Sequence, residues 1–323
     1  MISINDLREK NKTKLQRLNA PIKTKNEIKG LIFDKYLAHI HNIIPITDCE
    51  LATKETRAVH TLWCGAVAKT INENIKLYSM NYISDFEKVV NWCIKNEIRI
   101  VNSSISSFYT KKNDLALQKY AEWGGIWVSS AGNNGNDDKL SFPASSKFVV
   151  SVGATNTSDN NDITLDIVAD SYWKVPQTGS IDYSAFNGTS ATSPVIFTAA
   201  SYYLDANPTG NLWSFRKWEL VNSVNNLDDI SPELVGAKLE NGERFFVFPD
   251  NLVDRLLPIE IELQIDSQIM KVNGADKKLR VAPFLKKYSD EFAATCTEIR
   301  PVFEELGYTV SYDQATKTIK ITK

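Results

Sequence analysis

Residues 98–130 read IRIVNSSISSFYTKKNDLALQKYAEWGGIWVSS. Two short apolar runs, IRIV at 98–101 and IWVSS at 126–130, bracket a longer segment, DLALQKYAEWG from Asp114, whose apolar residues recur at helical spacing. The same alternation continues on both sides. LIF at 31–33 and FVVSVGA at 148–154 are further apolar runs; VHTLWCGAVAKTI from Val59, DFEKVVNWCIKN from Asp85 and SPVIFTAASYYL from Ser193 are further helical segments. Continuous apolar runs suit strands buried on both faces, and their alternation with helices predicts an α/β domain with a mostly parallel sheet flanked by helices. In such a fold, functional groups gather outside the carboxyl ends of the strands.

The ends of the chain differ in character. Residues 1–29 form a polar, basic arm with room for a short helix. Around 248–258, FPDNLVDRLLP carries two prolines and leads into sequence of another type. The expected organisation is therefore an arm over 1–29, a main domain over 30–250 and a small α+β domain over 258–323. In the last of these, IEIELQIDSQIMKVNGADKKLRV alternates apolar and polar residues across Asn273-Gly274, a hairpin signal. RPVFEELG predicts a helix closed by Gly307, and YTVSYDQATKTIKITK a second hairpin.

Composition narrows the function classes. With 323 residues, 43% hydrophobic and 24% charged, the chain can bury a sizeable core. Lys and Arg number 37 against 39 for Asp and Glu, so neither a nucleic acid nor an anionic membrane is an expected partner. The first thirty residues hold no apolar stretch of signal-peptide or membrane-span length, which predicts a cytoplasmic location by default and no membrane insertion, with later release or non-classical export left open. Cys49, Cys64, Cys93 and Cys296 are far apart and form no cluster of metal-site spacing, as in a reduced compartment.

The chemistry-bearing segment is FNGTSATSP, residues 186–194. Ser190 follows Gly188 and Thr189, and Pro194 is expected in the first turn of the helix that follows, where its missing N–H costs little. The hydroxyl then lies near a helix amino terminus, whose N–H groups favour a developing negative charge. Asn-Gly-Thr-Ser is also an ordinary turn and helix cap, since Ser is a preferred cap residue. An activated serine further needs a neutral imidazole, a carboxylate to orient it and donors for an oxyanion.

Other segments supply candidates in the same order as one known family. NGTSATSP resembles the nucleophile motif GTSMASP of subtilisin-like serine proteases, SSAGNNG their oxyanion segment, FVVSVGATN the strand after it, IRIVNSSIS their substrate-binding strand, and VHTLWCGAVA more distantly HGTHVAG. The resemblance spans roughly residues 30–250 and implies that fold and a serine endopeptidase with Ser190 as nucleophile, His60 as general base and Asn133 as oxyanion donor. His60 alone of the three histidines opens an amphipathic segment, one with the small residues Gly65, Ala66 and Ala68; His39 and His41 lie in a polar connection. The orienting carboxylate ends the first core strand in that family, and KGLIFD ends at Asp34, 26 residues before His60. Asp48, after IIPIT, is the rival; LIF is the better buried strand, and Pro45 weakens the other. Asp34 is followed by Lys35 and Tyr36 instead of the family's Asp-Thr-Gly sequence.

A protein or peptide substrate would add as an extended strand beside Ser104, Ile105 and Ser106, and Ala131 and Gly132 are further expected substrate-binding residues. Ser106 stands where the family usually has Gly and is expected to narrow the first specificity pocket. Only 29 residues precede the first core strand, too few for the folding prodomain of secreted members, so a non-secreted form is expected, and the arm is a candidate cover for the cleft. Val195 replaces the histidine common after the motif's proline. Calcium is common in the family and stays open here, although no loop of calcium-ligand spacing is present; no other cofactor is expected. The tail, through IELQIDSQIMKVNG, VAPF and FEELGYTVSYDQATKTIKI, resembles the copper amine oxidase N-terminal-like domain; with one cysteine and no histidine it implies no copper site, only a structural appendage or a surface for a binding partner. The alternatives from other classes are an inactive subtilisin-fold binding or scaffolding protein and a structural component that assembles through its tail.

Overall fold

The computed structural model describes residues 2–21, 23–34, 46–48, 59–133, 140–155, 165–177, 180–224, 245–248, 261–264, 269–272, 275–278, 309–313 and 318–322. It divides into two compact units, Met1–Leu252 and Val253–Lys323.

The first unit opens with α1 (Ile4–Lys10) and α2 (Lys12–Arg17), followed by β1 (Ile28–Asp34), β2 (Ile46–Asp48), α3 (Val59–Ile71), β3 (Ile75–Asn81), α4 (Phe86–Lys95), β4 (Ile100–Ser103), α5 (Lys111–Glu122), β5 (Ile126–Ser130), β6 (Val150–Ala154) and β7 (Ile167–Ala169). Then come β8 (Trp173–Pro176), β9 (Tyr183–Phe186), α6 (Thr189–Ala206), α7 (Leu212–Val221), β10 (Ser223–Val224) and β11 (Phe245–Phe246). Nine of these strands form one sheet in the order β10-β11-β7-β6-β5-β4-β1-β3-β2. All its pairings are parallel save β10 with β11. β4, β5 and β6 are buried at every position, as a sheet covered on both faces requires. The mostly parallel α/β sheet expected from the alternation is the observed fold.

Strand order reverses around β1, which lies between β3 and β4. In open parallel sheets the crevice at such a reversal, outside the carboxyl ends of the strands, is where ligands bind. Two helices serve this crevice. α3 is buried at Thr61, Leu62 and from Cys64 through Ile71 and packs on α6, in which Ala191 to Leu204 are all buried; helices apolar on nearly every side belong inside a domain. Phe33 of β1, Phe86 of α4 and Trp127 of β5 meet with ring centroids 5.4–5.7 Å apart, fixing the sheet to its helical layer.

The arm belongs to this unit and packs on α3, α6 and the segment after β7. Leu7 and Leu18 are fully buried; Arg8 donates to the Thr70 and Ile71 carbonyls; the Tyr202 hydroxyl donates to the Pro21 carbonyl; and the Lys25 and Asn26 N–H groups donate to Asp205. Lys14 and Arg17 both pair with buried Asp170, at 2.7 and 2.8 Å. Thr70, Ile71, Tyr202 and Asp205 stand at the carboxyl ends of α3 and α6, roughly 15–22 Å along the helices from His60 and Ser190 at about 1.5 Å per residue, whereas Asp170 directly follows β7. The arm is thus a packed part of the domain, and its contacts with α3 and α6 lie at the ends of those helices away from His60 and Ser190.

Glu219 of α7 is 2% exposed, and its Oε2 has no hydrogen-bond partner. Burial, reinforced by nearby Asp166 and partly offset by Arg216, raises its pKa well above the carboxylate range. A raised folded-state pKa stabilises fully below the unfolded-state value, and that contribution is lost as pH rises through the folded one. Glu219→Gln, which cannot ionise, is therefore expected to raise Tm by about 2–4 °C at alkaline pH, equivalent to about 1 kcal/mol, and to change it less in acid. Thermal melts of both proteins across pH check this; an equal shift at every pH would contradict it.

In the second unit, β12 (Ile261–Gln264), β13 (Ile269–Val272), β14 (Ala275–Lys278), β15 (Thr309–Asp313) and β16 (Thr318–Thr322) form an antiparallel sheet in the order β14-β13-β12-β16-β15. Both expected hairpins are present, β13 with β14 and β15 with β16. The register sets Ile261 beside Val272 and Ile321, and Glu262 beside Lys271 and Lys320, so rows of one residue type alternate with rows of the other. The expected helix in RPVFEELG lies outside the described residues.

Candidate active site

Four carboxyl ends and helix starts converge at the reversal. β1 ends in Asp34, α3 has His60 as its second residue, β5 leads into Ala131–Gly132–Asn133, and β9 leads through Asn187–Gly188 into α6, whose second residue is Ser190. Asp34 is in register with Asn81 of β3, and Asp48 of edge strand β2 with Ser79. His39, His41, Lys35, Tyr36 and Pro45 lie outside the described residues.

His60 Nδ1 and Asp34 Oδ2 are 2.6 Å apart. The carboxylate is 3% exposed and the imidazole 36%. Burial alone would hold the His60 pKa down, but the hydrogen bond and negative charge of Asp34 outweigh it and raise it above the ordinary histidine value. With Nδ1–H directed to the carboxylate, the neutral ring has its lone pair on Nε2. Phe186 stands edge-on to the imidazole at 5.4 Å, and Trp63, which donates to the Pro176 carbonyl, packs against Phe186. The ring is thereby walled on one side by aromatics.

Ser190 is not a helix cap. That position belongs to Gly188, at φ +78°, where any added Cβ would stand 3.2 Å from Asn133 Oδ1. α6 begins at Thr189, earlier than expected, so Pro194 is its sixth residue and lies inside the helix. Proline lacks the N–H that would bond to the carbonyl four residues before it, here that of Ser190. Side chains from outside the helix replace it: the Ser104 hydroxyl donates to the Ser190 carbonyl at 3.2 Å, and the Cys64 thiol lies 3.8 Å from the same oxygen. Ser104 is itself held by Asn102, which accepts from Ser193 of α6. The proline thus ties the turn bearing Ser190 to the end of β4.

Asn133 is aimed by Thr189. The backbone N–H of Thr189, which can only donate, reaches Asn133 Oδ1 at 3.1 Å, and the Thr189 hydroxyl reaches it at 2.8 Å. Oδ1 is therefore occupied and Nδ2 is the free donor face of the amide. The Thr189 hydroxyl also lies 3.2 Å from the Gly132 carbonyl. In the first turn of α6 the Thr189 N–H serves Asn133 and the Ala191 N–H serves the Gly188 carbonyl; the hydrogen bonds of the described residues do not engage the Ser190 N–H. Of the residues expected to bind substrate, Ser104 and Gly132 contact the turn that bears Ser190, Ile105 and Ala131 are buried, and Ser106 is exposed.

Thr189 and Cys64 were not among the residues singled out in the sequence. Thr189 sits inside the quoted motif, but its partner is 56 residues away. Cys64 lies four residues after His60, hence on the same helix face, and its thiol is 3.8 Å from Asp34 Oδ2. Burial first, then the charge of Asp34, push the Cys64 pKa well up, so it acts as a thiol donor. Among the described residues, Asp34, His60 and Cys64 offer ligand-type atoms within 4.8 Å of one another. Ligands of a tetrahedral zinc ion stand roughly 3.3 Å apart for bonds of about 2.0–2.1 Å. The 2.6 Å His60–Asp34 contact is too short to enclose an ion, and the mixed donors do not suit calcium, which takes oxygen.

Comparison with known proteins agrees with this arrangement at the family level. Residues 258–321 match the copper amine oxidase N-terminal domain. Alkaline elastase YaB of Bacillus sp. (strain YaB) is 27% identical over 167 residues, covering 50% of this chain and 43% of that protein. Subtilisin DY of Bacillus licheniformis is 26% identical over 175 residues, 48% of this chain and 63% of that protein. The minor extracellular protease Epr of Bacillus subtilis (strain 168) is 33% identical over 87 residues, 25% of this chain and 13% of that protein. The chain therefore spans about half the length of the first two relatives and less of the third. Among the described residues, no helix is long and apolar enough to cross a membrane. The subtilase family model matches residues 64–237, more than half of the chain, taking in Asn133 and Ser190 and beginning just after His60, and the chain belongs to that family.

Proposed function

We propose that the chain is a serine endopeptidase that cleaves protein or peptide substrates through an acyl-enzyme. The observation that carries this reading is the aimed amide of Asn133 beside Ser190, at the same strand ends as the His60–Asp34 pair. His60 Nε2 takes the proton of the Ser190 hydroxyl as Oγ attacks a peptide carbonyl, and Asp34 stabilises the imidazolium that forms. The carbonyl oxygen, now negative, receives hydrogen bonds from Asn133 Nδ2 and the Ser190 N–H, aided by the amino terminus of α6. The intermediate collapses with proton transfer from His60 to the leaving amine; water, deprotonated by the same imidazole, then releases the acyl group.

A fluorophosphonate probe tests this directly, because it reacts only with an activated serine. The expected result is stoichiometric labelling of the native chain and none of Ser190→Ala. Folded protein that resists labelling would instead favour an inactive scaffold, for which the second unit offers a separate surface.

A further inference from the structure

We infer that Asn11 is a positioning residue for the general base: from the arm it fixes the β8–β9 hairpin, whose second strand walls the His60 imidazole. This rests on the peptidase reading above and adds to it a residue that touches neither His60 nor Ser190.

β8 and β9 stand apart from the nine-stranded sheet as a two-stranded sheet of their own. Such a hairpin is marginal by itself in water, so its place is set by what it packs on. α3 holds the end of β8, where the Trp63 indole N–H donates to the Pro176 carbonyl at 2.9 Å. The arm holds its beginning. Asn11 is 3% exposed, and its amide meets both backbone groups of Lys174: Oδ1 accepts from the Lys174 N–H at 2.8 Å, and Nδ2 donates to the Lys174 carbonyl at 2.9 Å. An N–H can only donate and a carbonyl only accept, so the amide fits one way round. It occupies the place a neighbouring strand would take along β8. Lys14 adds a bond to the Ser171 carbonyl at 2.6 Å, just before the strand, and the Lys10 ammonium stands 5.5 Å over the Tyr183 ring of β9.

From Lys174 the path to the active site is short. Along an antiparallel pair, residues that exchange hydrogen bonds alternate with residues that do not. Lys174 turns its backbone groups to Asn11, so its neighbour Trp173 is the residue that bonds β9, and Trp173 is in register with Phe186. Trp173 is fully buried and donates its indole N–H to the Asp170 carbonyl at 2.9 Å. Phe186 stands edge-on to His60, and its strand runs on through Asn187–Gly188 to Ser190. Displacing Lys174 therefore displaces the wall of the base and the lead-in to the nucleophile together, while residues 104–106, expected to bind substrate, follow β4 and are left in place. Asn11 also donates to the Leu7 carbonyl at 2.8 Å, which closes α1. A helix cap alone would affect stability and not turnover.

The test measures the fluorophosphonate labelling rate of Ser190 and the kcat and KM for an internally quenched peptide, per folded molecule and well below each variant's Tm. Asn11→Ala is expected to lower labelling rate and kcat together by about 10- to 100-fold, the size of effect a misplacement of about 1 Å confers, with KM near native. In a Phe186→Ala background the same substitution should cost little further, because a residue that acts through Phe186 is coupled to it. Lys10→Ala, a change at an exposed side chain, should repeat the pattern at smaller size, and it decides the matter if Asn11→Ala does not fold. An Asn11→Ala protein that loses Tm but keeps native labelling and kcat, or that loses as much without Phe186 as with it, makes Asn11 a helix cap and overturns the inference while the native chain still labels. Native kcat in Lys10→Ala, where Asn11→Ala cannot fold, overturns it equally. Folded native protein that neither labels nor cleaves overturns the peptidase reading and this inference with it.

Discussion

Asp34→Asn is expected to lower kcat on the order of 10⁴-fold and to shift the acid limb of the pH–rate profile downward. The carboxylate is 3% exposed and bonds Nδ1 of His60 at 2.6 Å, so it cannot be replaced by water at that place. An amide there can turn its NH₂ toward Nδ1, which forces the proton onto Nε2, the nitrogen that has to accept from Ser190. The shift of the acid limb has its own sign. Burial lowers the His60 pKa, while the hydrogen bond and the charge of Asp34 raise it, with a net rise. General-base catalysis needs the neutral ring, so activity in the native chain climbs with pH through a value above that of an ordinary histidine. Asparagine removes the charge and leaves the burial, so the limb moves down even as the plateau falls. Profiles of kcat/KM against pH for both proteins decide it: a variant with native turnover, or one with an unmoved limb, would show that Asp34 is not the group that holds the imidazole.

That pairing was within reach of the sequence because it depends on local pattern at each end. LIF followed by Asp34 marks a buried strand with a carboxylate at its carboxyl end, and VHTLWCGAVAKTI starts α3 where its small-residue face predicts. β5 coincides with IWVSS for the same reason, an apolar run with nowhere to go but a sheet interior. The start of α6 was not readable. Gly-Thr-Ser has turn composition, and Pro194 fits a first turn better than a sixth position; the helix begins at Thr189 with Ser104 and Cys64 beside the carbonyl that the proline leaves unbonded. Such replacement comes from segments 86 and 126 residues away, and no local propensity encodes it. Thr189 escaped notice likewise, being defined by a distant partner and unremarkable in its own neighbourhood. Cys64 is the exception: its spacing of four from His60 places it beneath the imidazole by helix geometry alone.

Asn133→Ala is expected to lower kcat by about 100- to 1,000-fold with little change in KM, the range seen for a subtilisin oxyanion donor. KM is spared because the bond to Nδ2 strengthens only as the carbonyl oxygen becomes negative; an interaction made in the transition state is read in kcat. Alanine, however, also removes Oδ1, which accepts from the Thr189 N–H and hydroxyl at 3.1 and 2.8 Å, so a loss of activity by itself could arise from a displaced turn. Asn133→Asp separates the two. It retains an oxygen for both Thr189 donors and replaces the NH₂ with a second carboxylate oxygen, which repels a developing oxyanion. If Asn133 acts as a donor, the aspartate variant loses at least as much kcat as alanine although the turn is kept; if it serves only to hold Thr189, the aspartate variant remains active. Thr189→Val refines the comparison, since the backbone N–H still orients Asn133 after the hydroxyl is gone, and its loss in kcat should be the smallest of the three. A ranking with alanine worst and aspartate near native would assign Asn133 to the architecture of the turn and leave the Ser190 N–H as the identified donor for the oxyanion.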